Sequence, residues 1–203
     1  MDDMNISDIS EQYFDVLKEI GNIGAGNATT ALSQMLGTKV DMKVPQVKLM
    51  EFKEVGTTMG GEDQIVAGIY LVVEGDITGS IMFMQKKESA RNMVKKLMGI
   101  ELNGDDFSEM EQSALKEIGN IITGAYLNSL STLTGLSIYP SVPALCIDMA
   151  GAILSVPAAE FGAIGDKFLL IQTDFTDDVE MSGYFILVPD EESYGKILKS
   201  LGF

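Results

Sequence analysis

The sequence predicts an α/β fold in which two α-β-β-β-α units share a mostly antiparallel sheet and are related by pseudo-twofold symmetry. The first observation behind this prediction is that the heptapeptide LKEIGNI occurs at 17–23 and again at 115–121. The second is that "SIMFMQKKESARNMVKKLMG" at 80–99 resembles "GYFILVPDEESYGKILKSLG" at 183–202. These matches indicate a tandem duplication.

The first repeat, at about 8–99, opens with a predicted helix from about Asp8 to Leu36, because apolar and small residues recur there with a helical period. Gly37 is a typical helix stop. Beyond it, β-branched and apolar residues alternate between Gly, Asp and Pro, and the last segment regains the helical period. This pattern predicts three strands and a closing helix, at about 40–52, 64–74, 76–85 and 87–98.

The second repeat, at about 108–203, follows the same order, and with the first it forms a single domain over 1–203. Its long helix is predicted from about Ser108 to Thr134. Three strands and a closing helix are predicted at about 137–147, 167–174, 180–189 and Glu191–Leu201. The segment "DMAGAILSVPAAEFG" at 148–162 has no evident counterpart in the first repeat, and we interpret it as an inserted helical segment that Pro157 interrupts.

The glycines of "GNIGAG" at 21–26 raise the question of a phosphate-binding loop. Such a loop needs a strand before it and a helix start after it, and a P-loop also ends in Gly-Lys-Ser/Thr. Neither condition holds, because the preceding residues have a helical period, no lysine follows at the required spacing, and the second copy reads GNIITG. The glycines are therefore assigned to a helix, where Gly24 would let another element pack closely and Gly26 would leave bare backbone exposed.

A polar face lies opposite the apolar face of each long helix. At about 100° per residue, four positions of the first helix share this face: Asp15, Glu19, Asn22 and Gly26. The second long helix repeats them as Ser113, Glu117, Asn120 and Gly124. Packing alone does not explain why Glu and Asn stay identical at exposed positions, where substitution is cheap, while core positions such as Gly24 and Ile122 diverge.

We therefore interpret the Glu and Asn pairs as functional. For the two glycines, a functional and a packing role stay equally open. Asp15 and Ser113 differ in type, so a role at the helix N-terminus or in hydrogen bonding is as reasonable there as a direct one.

The amino-acid composition restricts the partners, the location and the catalytic groups that can be expected. The net charge is −16 and no Lys/Arg cluster could neutralise a phosphate backbone, which argues against nucleic acid as a partner. No segment has the roughly 20 apolar residues of a membrane span, and the N-terminus lacks a targeting signal, so we expect a cytoplasmic protein without membrane insertion. With no histidine and one cysteine, catalysis would have to use carboxylates, amides, hydroxyls or a partner's groups.

The spacing of the polar residues makes the pattern specific. The pattern begins with Asp or Ser, continues with Glu after three intervening residues and Asn after two more, and ends with Pro after a further 22. It occurs twice, and its last members are Pro45 and Pro143. This arrangement resembles the CheC/CheX/FliY family of chemotaxis phosphatases, and with two intact motifs it is most similar to the CheC-like members. The resemblance covers nearly the whole chain.

The resemblance implies hydrolysis of the aspartyl phosphate on the response regulator CheY. Asn22 and Asn120 would each hold a water in line with phosphorus, and Glu19 and Glu117 would engage the active-site lysine of the regulator. An acyl phosphate is already activated, so positioning and charge neutralisation suffice for its hydrolysis. The Mg²⁺ would belong to the regulator, and the chain would need no metal or cofactor of its own.

The resemblance also assigns the other motif residues. Gly26 and Gly124 would give the partner clearance, and the two prolines would set the start of the strand after each long helix. Proteins of this kind also bind the receptor deamidase CheD, and the segment beginning at Asp148 is the candidate surface for it. Two alternatives stay open: a non-catalytic adaptor that binds CheY and CheD, and a FliY-like flagellar switch phosphatase, which would call for a further C-terminal domain.

Overall fold

The computed structural model describes residues 11–42, 46–161, 167–176 and 180–202. The first repeat contains α1 (Glu11–Leu36), β1 (Asp41–Met42), β2 (Gln46–Glu51), α2 (Phe52–Thr58), β3 (Ile65–Gly75), β4 (Gly79–Lys86) and α3 (Lys87–Met98). The second repeat contains α4 (Glu109–Thr134), β5 (Ile138–Pro140), β6 (Ala144–Met149), α5 (Ala150–Phe161), β7 (Lys167–Thr176), β8 (Glu180–Pro189) and α6 (Glu191–Ser200).

The eight strands in the described ranges form one sheet in which every pairing is antiparallel, as predicted. The main path runs β1-β7-β8-β4-β3-β5, and β2 also pairs with β7 while β6 pairs with β3. The first two strands of each repeat therefore pair with a long strand of the other repeat. Each repeat thus completes the other's half of the sheet.

A local twofold axis passes between β4 and β8 at the centre of the sheet. Their register pairs Met82 with Ile186 and Phe83 with Phe185. In this part of the repeats, equivalent residues are 103 positions apart, so either pair maps onto the other. The register confirms the predicted pseudo-twofold symmetry.

Helices cover both faces of the sheet. On one face, α1 and α4 pack over a core that includes Phe83 and Phe185. On the other face, α5 and Met59, the residue after α2, cover Met82, Met84 and Tyr184. Strand β4 is buried on both faces, and this explains why its sequence is a continuous apolar run rather than an alternating one.

Each repeat contains one helix more than the predicted α-β-β-β-α order. Helix α2 follows β2 as α5 follows β6, so the segment at 148–162 is not an insertion confined to the second repeat, and that expectation was wrong. The seven residues of α2 are too few to show a helical period in the sequence. Pro157 does not interrupt α5 either: it lies buried inside the helix, where packing overrides its local preference.

Most other boundaries agree with the periodicity. The third helix spans Lys87–Met98 as predicted, and Ser108 caps α4 rather than beginning it. The predicted strand at 137–147 is divided into β5 and β6. The strand predicted at 40–52 comprises β1 and β2, with 43–45 outside the described residues, as are the first residues of the helix predicted from Asp8.

The two long helices, α1 and α4, are in contact at Gly24 of α1, which has no side chain. A Cβ built on Gly24 of α1 would lie 2.6 Å from Cδ1 of Tyr126 on α4, so the Tyr126 ring rests on bare backbone. The same ring lies 3.9 Å, centroid to centroid, from the ring of Phe185, which lies 4.8 Å from that of Phe83. The close approach expected at Gly24 is thus present, and it joins both helices to the two central strands.

One polar contact supplements this packing. The side-chain amide of Asn27 on α1 donates to the hydroxyl of Ser129 on α4 at 2.9 Å. The Ser129 hydroxyl in turn donates to the carbonyl of Ala125 at 2.8 Å. The contact therefore fixes the position of one long helix against the other.

Gly24→Ala tests whether the helix contact depends on the missing side chain. We expect a loss of about 1–3 kcal/mol in the free energy of unfolding, because the new methyl group would displace the Tyr126 ring from a packed core. Gly195→Ala is the matched control, since a Cβ there has no neighbour within 4 Å in the middle of α6. It should gain up to about 1 kcal/mol from helix propensity. If denaturant unfolding showed that both variants gained stability, the packing role of Gly24 would be contradicted.

Candidate functional site

The polar face of α4 is exposed, and its opposite face is in the core. Ser113 and Glu117 are exposed and Asn120 is half-buried, whereas Leu115 and Ile118 are fully buried. Because a helix turns about 100° per residue, burying one face leaves the other directed away from the sheet. The second Glu and Asn pair therefore faces outward from a rigidly packed helix.

A capping box fixes the start of this helix. The backbone N–H of Ser108 donates to Glu111 at 2.7 Å, and the backbone N–H of Glu111 donates to the Ser108 hydroxyl at 3.4 Å. This reciprocal pair satisfies two backbone donors that would otherwise lack partners. This cap was not predicted, although its signature, Ser-x-x-Glu before a helical pattern, is present in the sequence at 108–111.

The first repeat presents the equivalent face on α1. Glu19 and Asn22 are exposed and Gly26 is half-buried, while Ile20 between the two polar residues is buried. Asp15 belongs to α1, but its side chain lies outside what the structure describes. The two pairs therefore lie on different helices, each with its own exposed surface.

Within the described ranges, the side chains of these four residues have no hydrogen bond or ion pair with the rest of the chain: Glu19, Asn22, Glu117 and Asn120. Residues three apart on a helix are neighbours, with Cβ atoms about 5–6 Å apart. Each face thus offers an acceptor-only carboxylate beside an amide that both donates and accepts. Such a pair suits an incoming ammonium group and a water molecule.

Open space lies over the glycines of both faces. A Cβ built on Gly26 or Gly124 would have nothing within 4 Å, in contrast to Gly24. Neither residue has a positive φ, so no backbone conformation demands glycine there. A glycine at these positions therefore weakens its helix by about 1 kcal/mol relative to alanine without a packing or conformational reason.

The other motif residues have structural surroundings. The hydroxyl of Ser113 donates to the carbonyl of Glu109 at 2.9 Å, so it is bonded to its own helix. Pro143 immediately precedes β6, so it lies at the start of a strand, but this is the second strand after α4 and not the first as predicted. Pro45 falls within 43–45, outside the described residues.

Asp148 lies apart from both faces, in β6 next to α5. It is exposed, and its carboxylate accepts a hydrogen bond from the backbone N–H of Met149 at 2.7 Å. Met149 pairs with Ile65 across the strands, and both are exposed, as is Val156 on α5. Because side chains alternate along a strand, Asp148 lies on the face of the sheet that α5 covers, whereas Met149 and Ile65 lie on the opposite face.

In the described ranges there is no group of three or more His, Cys, Asp or Glu side chains placed to hold a metal ion. None of the helices in the described part of the chain combines the length and apolar character that a membrane span requires.

Comparison with known proteins places these features in a family. The CheC-like family model matches residues 15–49 and 110–147. The chain is 40% identical over 202 residues to the CheY-P phosphatase CheC of Bacillus subtilis, covering 96% of each chain. It is 31% identical over 140 residues to the flagellar motor switch phosphatase FliY of the same organism, covering 68% of this chain and 36% of that one.

A solved structure shows the same fold. The X-ray crystal structure of Thermotoga maritima FliY matches with a TM-score of 0.75 and 21% sequence identity, covering 96% of this chain and 98% of that chain. The α/β architecture described above is therefore shared with that protein.

Proposed function

Because this chain belongs to the CheC-like family, we propose that it is a phosphatase that hydrolyses the aspartyl phosphate of the response regulator CheY in chemotaxis. The observation that carries the proposal is the pair of helix faces, each presenting a Glu and an Asn without partners in the described chain. The B. subtilis relative is named a CheY-P phosphatase, and it is similar over nearly its full length. A cytoplasmic location would suit such a substrate.

The chemistry needs little from the enzyme beyond positioning. An acyl phosphate is an activated group, so the barrier to hydrolysis falls mainly through alignment of the attacking water and neutralisation of charge. We propose that the amide of Asn22 or Asn120 holds this water in line with phosphorus. An amide orients a water through both its oxygen and its NH₂ group, and it requires no histidine base.

The carboxylates complete each site. We propose that Glu19 and Glu117 pair with the active-site lysine of the regulator, which anchors the asparagine one turn further along the helix. The Mg²⁺ that neutralises phosphate charge would be held by the regulator, so the chain itself would supply only the carboxylate and the amide. The regulator would supply the phosphoryl group that is attacked, and this chain would position the attacking water.

We propose two sites per chain, and the duplicated motif supports this. The pairs lie on separate helices, and each helix buries its own opposite face. A side-chain change in one exposed pair should therefore leave the other pair undisturbed, since distant sites without shared partners behave independently. We propose that each face engages one regulator molecule.

The segment beginning at Asp148 is the candidate surface for a second partner. Asp148 of β6 and Val156 of α5 are both exposed. We propose that this segment binds the receptor deamidase CheD through Asp148 and the outer face of α5. Helix α5 covers the other face of the sheet from α1 and α4, which carry the Glu and Asn pairs.

Alanine variants of the two asparagines test the catalytic proposal. Decay of CheY loaded with acetyl phosphate should be accelerated by the wild type, in part by Asn22→Ala and by Asn120→Ala, and not by the double variant. Each altered site should lose about 100-fold of its rate, because the attacking water is no longer positioned. Unfolding free energies should stay within about 0.5 kcal/mol of wild type, since both side chains lack partners in the described chain.

Tight binding to phosphorylated CheY without accelerated decay would contradict catalysis and favour a non-catalytic adaptor. Loss of activity accompanied by loss of stability would instead indicate that the asparagines support the fold.

Substituting Gly26 tests the clearance argument. Gly26→Ala and Gly26→Leu should both fold and gain up to about 1 kcal/mol in unfolding free energy, because helix propensity improves and nothing crowds the site. In an Asn120→Ala background, where only the first site turns over, Gly26→Leu should raise the KM for phosphorylated CheY. Gly26→Ala, with a single methyl group, is the control and should change KM less. Unchanged KM in Gly26→Leu would refute the clearance role.

Charge reversal at Asp148 tests the CheD surface. Asp148→Lys should weaken CheD binding, measured by calorimetry, and leave hydrolysis of phosphorylated CheY at the wild-type rate. Glu88→Lys, which reverses an exposed charge in the first turn of α3, is the matched control and should bind CheD normally. Equal affinity of both variants for CheD would move the binding surface elsewhere.

A further inference from the structure

Helix α4 exposes a large apolar side chain, Met110, in its first turn. Its exposed fraction is 69%, and among the large apolar side chains of the described residues only that of Val142 is higher. A single exposed apolar residue needs no explanation by itself. Its position relative to the proposed site therefore decides whether it has a role.

Met110 lies on the same face of α4 as the second Glu and Asn pair. With 100° per residue, Glu117 is displaced from Met110 by only about 20° around the helix axis and Asn120 by about 80°. The buried Leu115 and Ile122 are displaced by about 140° and 120° in the opposite sense. The burial of these residues agrees with that division, since Leu115 and Ile122 are fully buried and Glu117 is exposed.

The distance along the helix is within reach of one docked protein. Seven residues separate Met110 from Glu117 and ten separate it from Asn120, which corresponds to about 10 and 15 Å of helix. A standard protein contact buries about 800 Å² on each partner, a patch with a radius of about 16 Å. A receiver domain centred on Glu117 and Asn120 would therefore cover Met110.

The first repeat lacks this apolar residue. The position equivalent to Met110, 98 residues earlier, is Gln12. The residues adjacent to the asparagines, Ile23 and Ile121, are identical and half-buried in both repeats. The two faces thus match at the catalytic pair and its neighbour, and they differ at the outer end of the helix.

We propose that Met110 is a docking residue for phosphorylated CheY that gives the Glu117/Asn120 site a higher affinity for the regulator than the Glu19/Asn22 site. The inference rests on the proposed function for the identity of the occupant. Burial of the Met110 side chain under the docked regulator would remove apolar surface from water and stabilise that complex alone. Met110 would act on binding and would leave the positioning of water to Asn120.

Steady-state kinetics in single-site backgrounds test the proposal. In an Asn22→Ala background, where only the second site turns over, Met110→Gln should raise the KM for phosphorylated CheY about fivefold or more with little change in kcat. In an Asn120→Ala background the same change should leave KM unaltered, which separates a local contact from a general loss of stability. Gln12→Met in that background should lower KM.

Leu133→Gln is the matched control, because it removes another exposed apolar side chain from α4, in its last turn. It should leave KM unchanged in the Asn22→Ala background. An equal rise in KM for Leu133→Gln and Met110→Gln would overturn the specific docking role.

Affinity for CheY carrying beryllofluoride, a stable mimic of the acyl phosphate, separates failure of this inference from failure of the proposed function. Met110→Gln should weaken that binding about fivefold at the tighter of the two sites and leave the other site unchanged. Unchanged KM and unchanged affinity, with turnover still abolished in the double asparagine variant, would overturn the role of Met110 and leave the phosphatase assignment standing. Absence of turnover in the wild type would overturn the phosphatase assignment, and the beryllofluoride affinity alone would then decide for or against Met110.

Discussion

The contact between the Tyr126 ring and the bare backbone of Gly24 governs how the long helices sit on the sheet. A Cβ on Gly24 would lie within 2.6 Å of this ring, so the helices approach this closely only because that atom is missing. Tyr126 also stacks on Phe185, which stacks on Phe83. One contiguous stack therefore ties α1 and α4 to the two central strands at the pseudo-twofold axis, where strands from both repeats already interlock.

This stack also explains why the repeats diverge in the core. The residues equivalent to Gly24 and Tyr126 in the other repeat are Ile122 and Ala28; all four are buried, and Ala28, Ile122 and Tyr126 belong to one core cluster. Interiors pack to a nearly constant density, so a large ring on one helix requires a gap on its neighbour. The fold is symmetric, whereas its central packing is not.

On the outward faces of the same helices the two repeats keep the same Glu and Asn residues, whereas in the core they diverge. Glu19 and Asn22 are identical to Glu117 and Asn120, and in the described chain they support no internal contact. Since these side chains make no hydrogen bond or ion pair within the described chain, their identity supports the proposed role in contacting a partner. The buried half of each helix holds the fold and the exposed half is available for chemistry on a partner. The proposed role of Met110 would make the two faces unequal as docking surfaces, since the equivalent position in the first repeat is Gln12.

The sequence by itself determined the features that depend on local periodicity. The spans Lys87–Met98 and Glu109–Thr134, the exposed Glu and Asn pairs, and the internal duplication all follow from spacing that neighbouring residues along the helix reveal. Tertiary structure alone decided which strands exchange between repeats and how Pro157 is accommodated inside α5. It also decided that Gly24 faces Tyr126, because contacts between residues about a hundred positions apart depend on packing in three dimensions, which no local pattern encodes.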